Sequence, residues 1–223
     1  MKIKSLLSIA LITMFSVSTV YADKPVAISK GDGPYSLEIG ISVNVDGHKI
    51  MRSQNNKNTV NPAFAKTSRP CPPFCIQPIQ LRPGIETLGE QEIIHYAVMM
   101  SKGQKMADGS EIMVIDSRTP DWVAKGMIPG AVNIPWTHLS EAKGADPISI
   151  AEIMTEKFGA TEQNGLFYFD NAKTLVMYCN GMWCGQSPNN IKSLLKYGYP
   201  AHKIKWYRGG MQNWEILGFN TVK

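Results

Sequence analysis

The sequence predicts an α/β protein in which a parallel sheet carries helices on both faces, preceded by a small β-hairpin and an irregular N-terminal extension. Two observations predict the sheet. From about residue 87 onward, short apolar runs alternate with segments of helical spacing, and the strongest run, residues 174–178, is typical of a buried parallel strand. A third predicts the hairpin, since Asp46-Gly47 separates two short runs that alternate weakly.

The N-terminus carries a targeting signal. Lys2 and Lys4 precede an apolar stretch at residues 6–20, and Val20-Tyr21-Ala22 fits the small-x-small rule of a cleavage site. A membrane anchor is the alternative, because the stretch approaches the spanning minimum of roughly 17 residues. Its serines and threonines favour cleavage. We therefore expect a signal peptide at residues 1–22, a periplasmic or secreted location, and no membrane association after cleavage.

Composition and charge exclude some classes of protein. A hydrophobic content of 43% and a charged content of 18% are ordinary for a globular protein and exclude wholesale disorder. The formal net charge is +5, to which the leader lysines contribute two charges. No basic block contains interleaved aromatic residues, so we expect no nucleic-acid partner. We also expect no cofactor.

The extension, residues 23–85, is expected to be a small hairpin followed by an irregular strap. Residues 35–52 alternate weakly around the Asp46-Gly47 turn, and residues 69–83 are rich in proline, which prevents regular structure. The segment is too poor in apolar residues to fold by itself. We therefore place a boundary near residue 85 and a second domain at residues 86–223.

The strap contains a pair of cysteines, Cys71 and Cys75, separated by Pro-Pro-Phe. An even number of cysteines in an exported protein suggests disulfides, and a Cys71–Cys75 disulfide is the interpretation we favour. Redox exchange with the second cysteine pair is an alternative. A soft-metal site with His48, His95 or methionines is another, but nothing fixes its geometry and we assign no metal ligand.

The elements of residues 86–223 alternate along the chain. Short apolar runs predict strands at residues 112–115, where Asp116 ends the run, and at 132–134, 174–178 and 204–207. Apolar spacing and cap signals predict helices at residues 90–100, 120–126, 148–158, 187–198 and 211–217. Such alternation is typical of a parallel sheet covered on both faces, and ligands of these folds bind at the carboxyl ends of the strands.

A second cysteine pair lies at one such end. Cys179 follows the strand at residues 174–178 directly, and Cys184 lies in the same loop before the next helix. Loop N–H groups and the helix dipole stabilise an anion there, and the thiolate is the nucleophilic form of cysteine. Cys179 is thus the predicted nucleophile. The expected substrate-binding loop consists of Asn180, Gly181, Met182, Trp183, Gly185 and Gln186.

Three motifs resemble the rhodanese-like domain family of sulfurtransferases. Residues 115–122 with G-M-I-P-G-A at 126–131 are similar to the family's strand-turn-helix and its "G-H-I-P-G-A" signature. V-M-Y-C at 176–179 is similar to the family's strand that ends at the catalytic cysteine. Residues 209–214 are similar to the family's "G-G-x-x-x-W" motif near the C-terminus. The resemblance covers about residues 86–221 and implies a rhodanese-like sheet.

The resemblance implies an exported sulfurtransferase or persulfide carrier. Cys179 would take sulfane sulfur from thiosulfate or a persulfide donor and pass it to cyanide or a thiol acceptor, which includes a protein thiol. Asp116 and Arg118 are implied to lie near the active face, where a mutual or helix-capping ion pair is expected. Arg208 is a candidate source of positive charge from a neighbouring loop.

The loop also departs from the family. Met127 replaces the signature histidine, and the arginine usual five residues after the cysteine is replaced by Cys184. Thiosulfate and a persulfide both remain open as donors, whereas tyrosine-phosphatase chemistry, which needs that guanidinium, is disfavoured. Cys184 is a candidate resolving thiol that would form a Cys179–Cys184 disulfide. The alternatives are a periplasmic thiol–disulfide redox protein and a non-catalytic binding or metal-handling module.

Overall fold

The computed structural model describes residues 42–223, so the predicted signal peptide and the start of the extension lie outside the described residues. The strands are β1 (Val43–Val45), β2 (His48–Ile50), β3 (Glu86–Leu88), β4 (Ile112–Asp116), β5 (Val132–Asn133), β6 (Thr161–Gln163), β7 (Leu166–Tyr168), β8 (Thr174–Tyr178) and β9 (Ile204–Tyr207). The helices are α1 (Glu90–Ser101), α2 (Pro120–Val123), α3 (Pro147–Glu152), α4 (Gln186–Lys196) and α5 (Gly210–Ile216).

The main sheet has five strands in the order β3-β9-β8-β4-β5, and each neighbouring pair is parallel. Strand β8 is central and every one of its residues is buried, as expected for the strongest apolar run. In the register, Tyr178 pairs with Asp116 on one side and with Tyr207 on the other. The carboxyl ends of β4, β8 and β9 therefore lie at one edge of the sheet, and Cys179 follows there.

Helices cover both faces of this sheet, which confirms the predicted fold class. Helix α1 packs on one face with α5, through a core that includes Val98, Met211 and Trp214. Helices α3 and α4 pack on the other face, through residues that include Ile150 and Ile191. Among the described residues, no helix has the length and apolar character needed to cross a membrane.

The extension contributes to the first of these cores. Strands β1 and β2 pair antiparallel around Asp46-Gly47, as the turn signal predicts. Val45 and Ile50 are fully buried, and Phe64 is 2% exposed. All three belong to the same apolar cluster as α1 and α5. The extension thus uses the core of the larger domain, in agreement with its own shortage of apolar residues.

Several elements differ from the expected ones. Strand β3, at the edge of the main sheet, was not predicted, and α2 ends at Val123 rather than at residue 126. The helix predicted at 148–158 begins one residue earlier, after Asp146 accepts hydrogen bonds from Ile148 and Ser149 N–H groups, and it continues into a π-helical turn at Ile153–Lys157. The antiparallel pair β6–β7 was not predicted. Most residues of that pair are exposed on both faces, so it lacks the apolar alternation that marks a half-buried strand.

Candidate active site

The loop between β8 and α4 is held by hydrogen bonds to the start of α5. Cys184 N–H donates to Gly181 O at 2.9 Å, which closes the turn. Met211 N–H donates to Cys179 O at 3.0 Å, and Gln212 N–H donates to Asn180 O at 2.9 Å. The first turn of α5 therefore fixes the backbone of the residues that carry the predicted nucleophile.

Close approach of α5 to the loop requires a glycine at position 210. Gly210 has φ +59°, and a Cβ there would lie 2.4 Å from Cys179 O and 2.6 Å from Gly181 N. Both distances are far below contact, and the backbone conformation itself favours glycine. This is a physical reason for the second glycine of the Gly-Gly pair in the C-terminal motif.

Cys179 is buried, yet its surroundings favour the thiolate. Cys179 is only 2% exposed, and its thiol donates a hydrogen bond to Cys184 O at 3.5 Å. Burial raises its pKa, but hydrogen bonds from the Cys184 thiol, from Ser187 and from Gly181 N–H outweigh burial and lower the pKa to about 7. Ser187 contributes through its N–H and its hydroxyl, and the hydroxyl is buried with no hydrogen-bond partner among residues 42–223. A large fraction of Cys179 is therefore ionised at neutral pH.

The surroundings of Cys184 favour its protonated thiol, in contrast to those of Cys179. Burial raises its pKa well above the usual value, and the neighbouring Cys179 adds to the rise by hydrogen bonding and by charge repulsion. The N–H groups of Gln186 and Asn180 lower the pKa only in part. The proton of the pair therefore stays on Cys184, whose thiol also lies 3.7 Å from Gln186 Oε1, and Cys179 is left as the nucleophile.

The predicted loop residues surround this pair at different depths. Asn180 and Gly181 are buried, and the remaining four are half-buried: Met182, Trp183, Gly185 and Gln186. Gly185 is the cap of α4, so the loop runs directly into a helix N-terminus. Within residues 42–223, no group of three or more His, Cys, Asp or Glu side chains is arranged to hold a metal ion.

Asp116 and Arg118 form a buried ion pair beside the loop. Arg118 Nη2 lies 2.6 Å from Asp116 Oδ2, and both side chains are fully buried. The same guanidinium donates to the carbonyl oxygens of Trp122 and Gly126 and, at 3.5 Å, to Asn180 Oδ1. This pair ties the end of β4 to the turn after α2 and to the cysteine loop, so its contacts are those of a structural clamp.

Arg208 contacts the extension. Its Nε and Nη2 donate to Gln77 O at 3.1 and 2.8 Å, and Gln77 N–H donates to Met182 O at 2.8 Å. These hydrogen bonds join the end of β9, the extension and the cysteine loop. A role for Arg208 in supplying charge to a substrate stays a prediction.

A part of the extension, residues 69–77, lies against the loop, and we call it the covering segment. Cys71 and Cys75 form a disulfide within it, with a Cα–Cα distance of 4.6 Å. The Phe74 ring contacts Trp183 edge-on at 5.7 Å, and the Arg69 guanidinium lies 3.5 Å from the centre of the Trp183 ring. The indole N–H of Trp183 donates to Gln212 Oε1 at 2.8 Å, so this ring is fixed on several sides.

Sequence reasoning missed three of these residues. Ser187 was assigned only to the start of a helix, although a hydroxyl next to the cysteine loop is itself a signal for anion binding. Gln212 lies inside the C-terminal motif, where its position predicts contact with the loop only once the sheet register is known. Arg69 has no local signal, because its contact with Trp183 joins segments more than 100 residues apart.

Comparisons with known proteins agree with this architecture. The family description "Rhodanese-like domain" matches residues 100–217. A sulfurtransferase of Allochromatium vinosum is 28% identical over 122 residues, which cover 55% of this chain and 89% of that protein.

Similar solved structures include a human single-domain sulfurtransferase, at 20% identity and a TM-score of 0.32, covering 57% of this chain and 93% of that one. Another is a Rhodopseudomonas palustris protein of unknown function, described as a possible tyrosine phosphatase, at 22% identity and a TM-score of 0.41, covering 64% and 88%. The rhodanese-like domain description matches more than half of the residues of this chain. The chain therefore belongs to the rhodanese-like domain family.

Proposed function

We propose that this protein is an exported sulfurtransferase or persulfide carrier in which Cys179 carries sulfane sulfur. The observation that supports it most is the asymmetry of the thiol pair. Cys179 has its pKa lowered to about 7, whereas burial and the neighbouring thiolate raise that of Cys184. An ionised thiol next to a protonated one, at the carboxyl end of a central parallel strand, is suited to nucleophilic attack on sulfur.

The transfer consists of two balanced displacements. The Cys179 thiolate attacks the outer sulfur of thiosulfate, the new S–S bond forms, and the S–S bond of the donor breaks with its electron pair leaving on sulfite. The enzyme then carries a persulfide anion. An acceptor, cyanide or a thiolate, attacks the terminal sulfur, and the electron pair of the broken bond returns to Cys179 as the thiolate.

Fixed donors in the loop support both steps. Negative charge stays on or near the Cys179 sulfur throughout, and hydrogen bonds from Ser187 and Gly181 N–H already stabilise charge at this atom. The N-terminus of α4 adds partial positive charge. Because these dipoles are fixed before the reaction, they need no reorganisation when the persulfide forms.

A second candidate function is thiol–disulfide exchange, favoured by the hydrogen bond between the Cys184 thiol and Cys179. In this function the Cys179 thiolate attacks a disulfide of a substrate protein, a mixed disulfide forms, and one substrate cysteine leaves as a thiolate. The Cys184 thiol, after losing its proton, attacks the Cys179 sulfur, the Cys179–Cys184 disulfide forms, and the second substrate cysteine leaves as a thiolate. The raised pKa of Cys184 makes this second step slow at neutral pH.

Mass spectrometry of the reduced protein after exposure to thiosulfate tests the proposal. We expect a gain of one sulfur atom that is abolished in Cys179→Ser and retained in Cys184→Ser. Formation of a reversible Cys179–Cys184 disulfide without any sulfur uptake would instead favour the redox function. Export is tested separately, by finding whether the expressed chain loses residues 1–22 and leaves the cytoplasm.

A further inference from the structure

The cysteine loop has no cation of its own for an anionic donor. Residues 179–187 contain neither Arg nor Lys, although thiosulfate carries two negative charges. Arg118 is engaged with Asp116 and with backbone carbonyls. Arg208 donates through two nitrogens to Gln77 O. Backbone dipoles alone would then have to hold a dianion beside a thiolate.

Arg69 of the covering segment, unlike Arg118 and Arg208, has a guanidinium nitrogen without a hydrogen-bond partner among the described residues. Its guanidinium carbon lies 3.5 Å from the centre of the Trp183 ring, a stacking geometry that fixes the plane of the group. Its Nε is buried and, within the part of the chain that the structure describes, has no hydrogen-bond partner. A buried donor without a partner is costly, and a ligand oxygen would satisfy it.

Electrostatics connect the same guanidinium with the thiol pair. Burial lowers the pKa of Arg69, whereas an electrostatic contribution from Cys184 raises it. The two groups are therefore within electrostatic range of each other. Cys184 belongs to the loop that surrounds Cys179, and its carbonyl accepts a hydrogen bond from the Cys179 thiol.

We propose that Arg69 binds the substrate, with its guanidinium holding the sulfonate oxygens of a small anionic sulfane donor while Cys179 attacks the outer sulfur. The donor class is thiosulfate and organic thiosulfonates. A planar guanidinium presents paired N–H donors that match such oxygens. The binding site is thus composite, since the extension contributes the cation and the rhodanese-like domain contributes the nucleophile.

Steady-state kinetics with thiosulfate and cyanide give the first test, which rests on the proposed function. In Arg69→Met, we expect the KM for thiosulfate to rise about 10- to 100-fold and kcat to change much less. Arg82→Met is the matched control, because it removes the same charge from an exposed position of the same extension. Equal KM values for wild type and Arg69→Met would overturn the inference.

A second test does not depend on sulfur transfer. In a Cys184→Ser background, Cys179 is alkylated with iodoacetate, an anion, and with the neutral iodoacetamide of similar size. We expect Arg69→Met to lower the ratio of the two rates about fivefold, and Arg82→Met to leave it unchanged. An unchanged ratio in Arg69→Met would overturn the inference, even if the wild type takes up no sulfur and the proposed function itself fails.

Discussion

Two cysteines in one short loop have opposite acid–base properties, and the reason lies in which atoms each sulfur faces. Cys179 receives hydrogen bonds from the Cys184 thiol, from Ser187 and from Gly181. Cys184 is buried to a similar degree, but charge on Cys179 raises its pKa further. The sequence predicted Cys179 as the nucleophile from its position after a strand. It did not show that Cys184 and Ser187 favour the thiolate, because that depends on side-chain orientation.

The first prediction concerns the pH dependence of Cys179. Its pKa is lowered to about 7, so the rate of alkylation should rise with pH around a midpoint near 7. The Cys184 thiol is the main group that counters burial. Cys184→Ala removes this donor, and the midpoint should move upward, with a smaller thiolate fraction at pH 7. The rate of iodoacetamide labelling, mapped to Cys179 by peptide mass, measures the midpoint.

Cys184→Ser is the control for this experiment, because a serine hydroxyl also donates a hydrogen bond. Its midpoint should remain nearer to the wild-type value than that of the alanine variant. If wild type and Cys184→Ala show the same midpoint, Cys184 does not stabilise the thiolate.

The second prediction concerns Gly210. An alanine there adds a Cβ that would lie 2.4 Å from Cys179 O, at φ +59°. We expect Gly210→Ala to lower the free energy of unfolding by about 3 kcal/mol, since backbone overlap adds to the cost of the left-handed conformation. Urea unfolding measures it. Gly47→Ala, at φ +78° with no atom within 4 Å of its Cβ, should cost only about 1 kcal/mol. Equal losses would contradict the steric argument.

At the scale of elements, the cysteine loop is held from two directions. Helix α5 binds its backbone through Met211 and Gln212 N–H groups. The covering segment binds it through Gln77, Phe74 and Arg69. The contact with α5 follows from a motif inside the domain, whereas the covering segment has no regular structure of its own. Its position depends on a few specific contacts and on the local disulfide.

Elements with a strong apolar pattern were predictable, and elements without one were not. Strand β8 and helix α1 lie where the apolar spacing placed them. The β6–β7 hairpin contains Asn164-Gly165 at its turn, which is a hairpin signal, but its largely exposed strands lack the apolar alternation that predicts a half-buried strand. The covering segment was correctly expected to be irregular, but proline content does not indicate which surface an irregular chain will contact.

The third prediction concerns the Cys71–Cys75 disulfide. This bond closes a loop of only a few residues, so its loss should lower the free energy of unfolding by no more than about 2 kcal/mol. Its larger effect should be local, because Arg69 then leaves the Trp183 ring more often. We expect the Cys71→Ser/Cys75→Ser variant to show a KM for thiosulfate several-fold above that of the wild type, with kcat little changed. A KM identical to that of the wild type would mean that the disulfide does not position Arg69.

At the scale of the whole molecule, the extension and the rhodanese-like domain share a core. Val45, Ile50 and Phe64 lie in one cluster with residues of α1 and α5. Hydrogen bonds between Asn220 and the backbone of Lys49 and Met51 add to this packing. The boundary at residue 85 marks a change in sequence pattern, from a proline-rich irregular segment to alternating strands and helices. In the folded chain, the residues on either side of it bury the same apolar surface, so we expect them to unfold together.

Phe64 provides the test of this expectation. It is 2% exposed, its ring centre lies 6.0 Å from that of Trp122, and the Arg118 guanidinium lies 5.9 Å from it. Phe64→Ala should leave a cavity in the shared core and lower the free energy of unfolding by about 3 kcal/mol. Phe74→Ala, at a ring that is 40% exposed in the same extension, should cost less than about 1 kcal/mol.

The number of transitions distinguishes a shared core from a separate extension. Denaturation of Phe64→Ala, followed by tryptophan fluorescence and by circular dichroism, should give one transition with coincident midpoints, shifted to lower denaturant. The tryptophans lie in the rhodanese-like domain, so a shift of their signal by a substitution in the extension requires that the two regions unfold as one unit. If Phe64→Ala unfolded the extension alone and left the tryptophan transition at the wild-type midpoint, the cluster around Phe64 would not support the domain that carries Cys179, and the composite site would rest on surface contacts only.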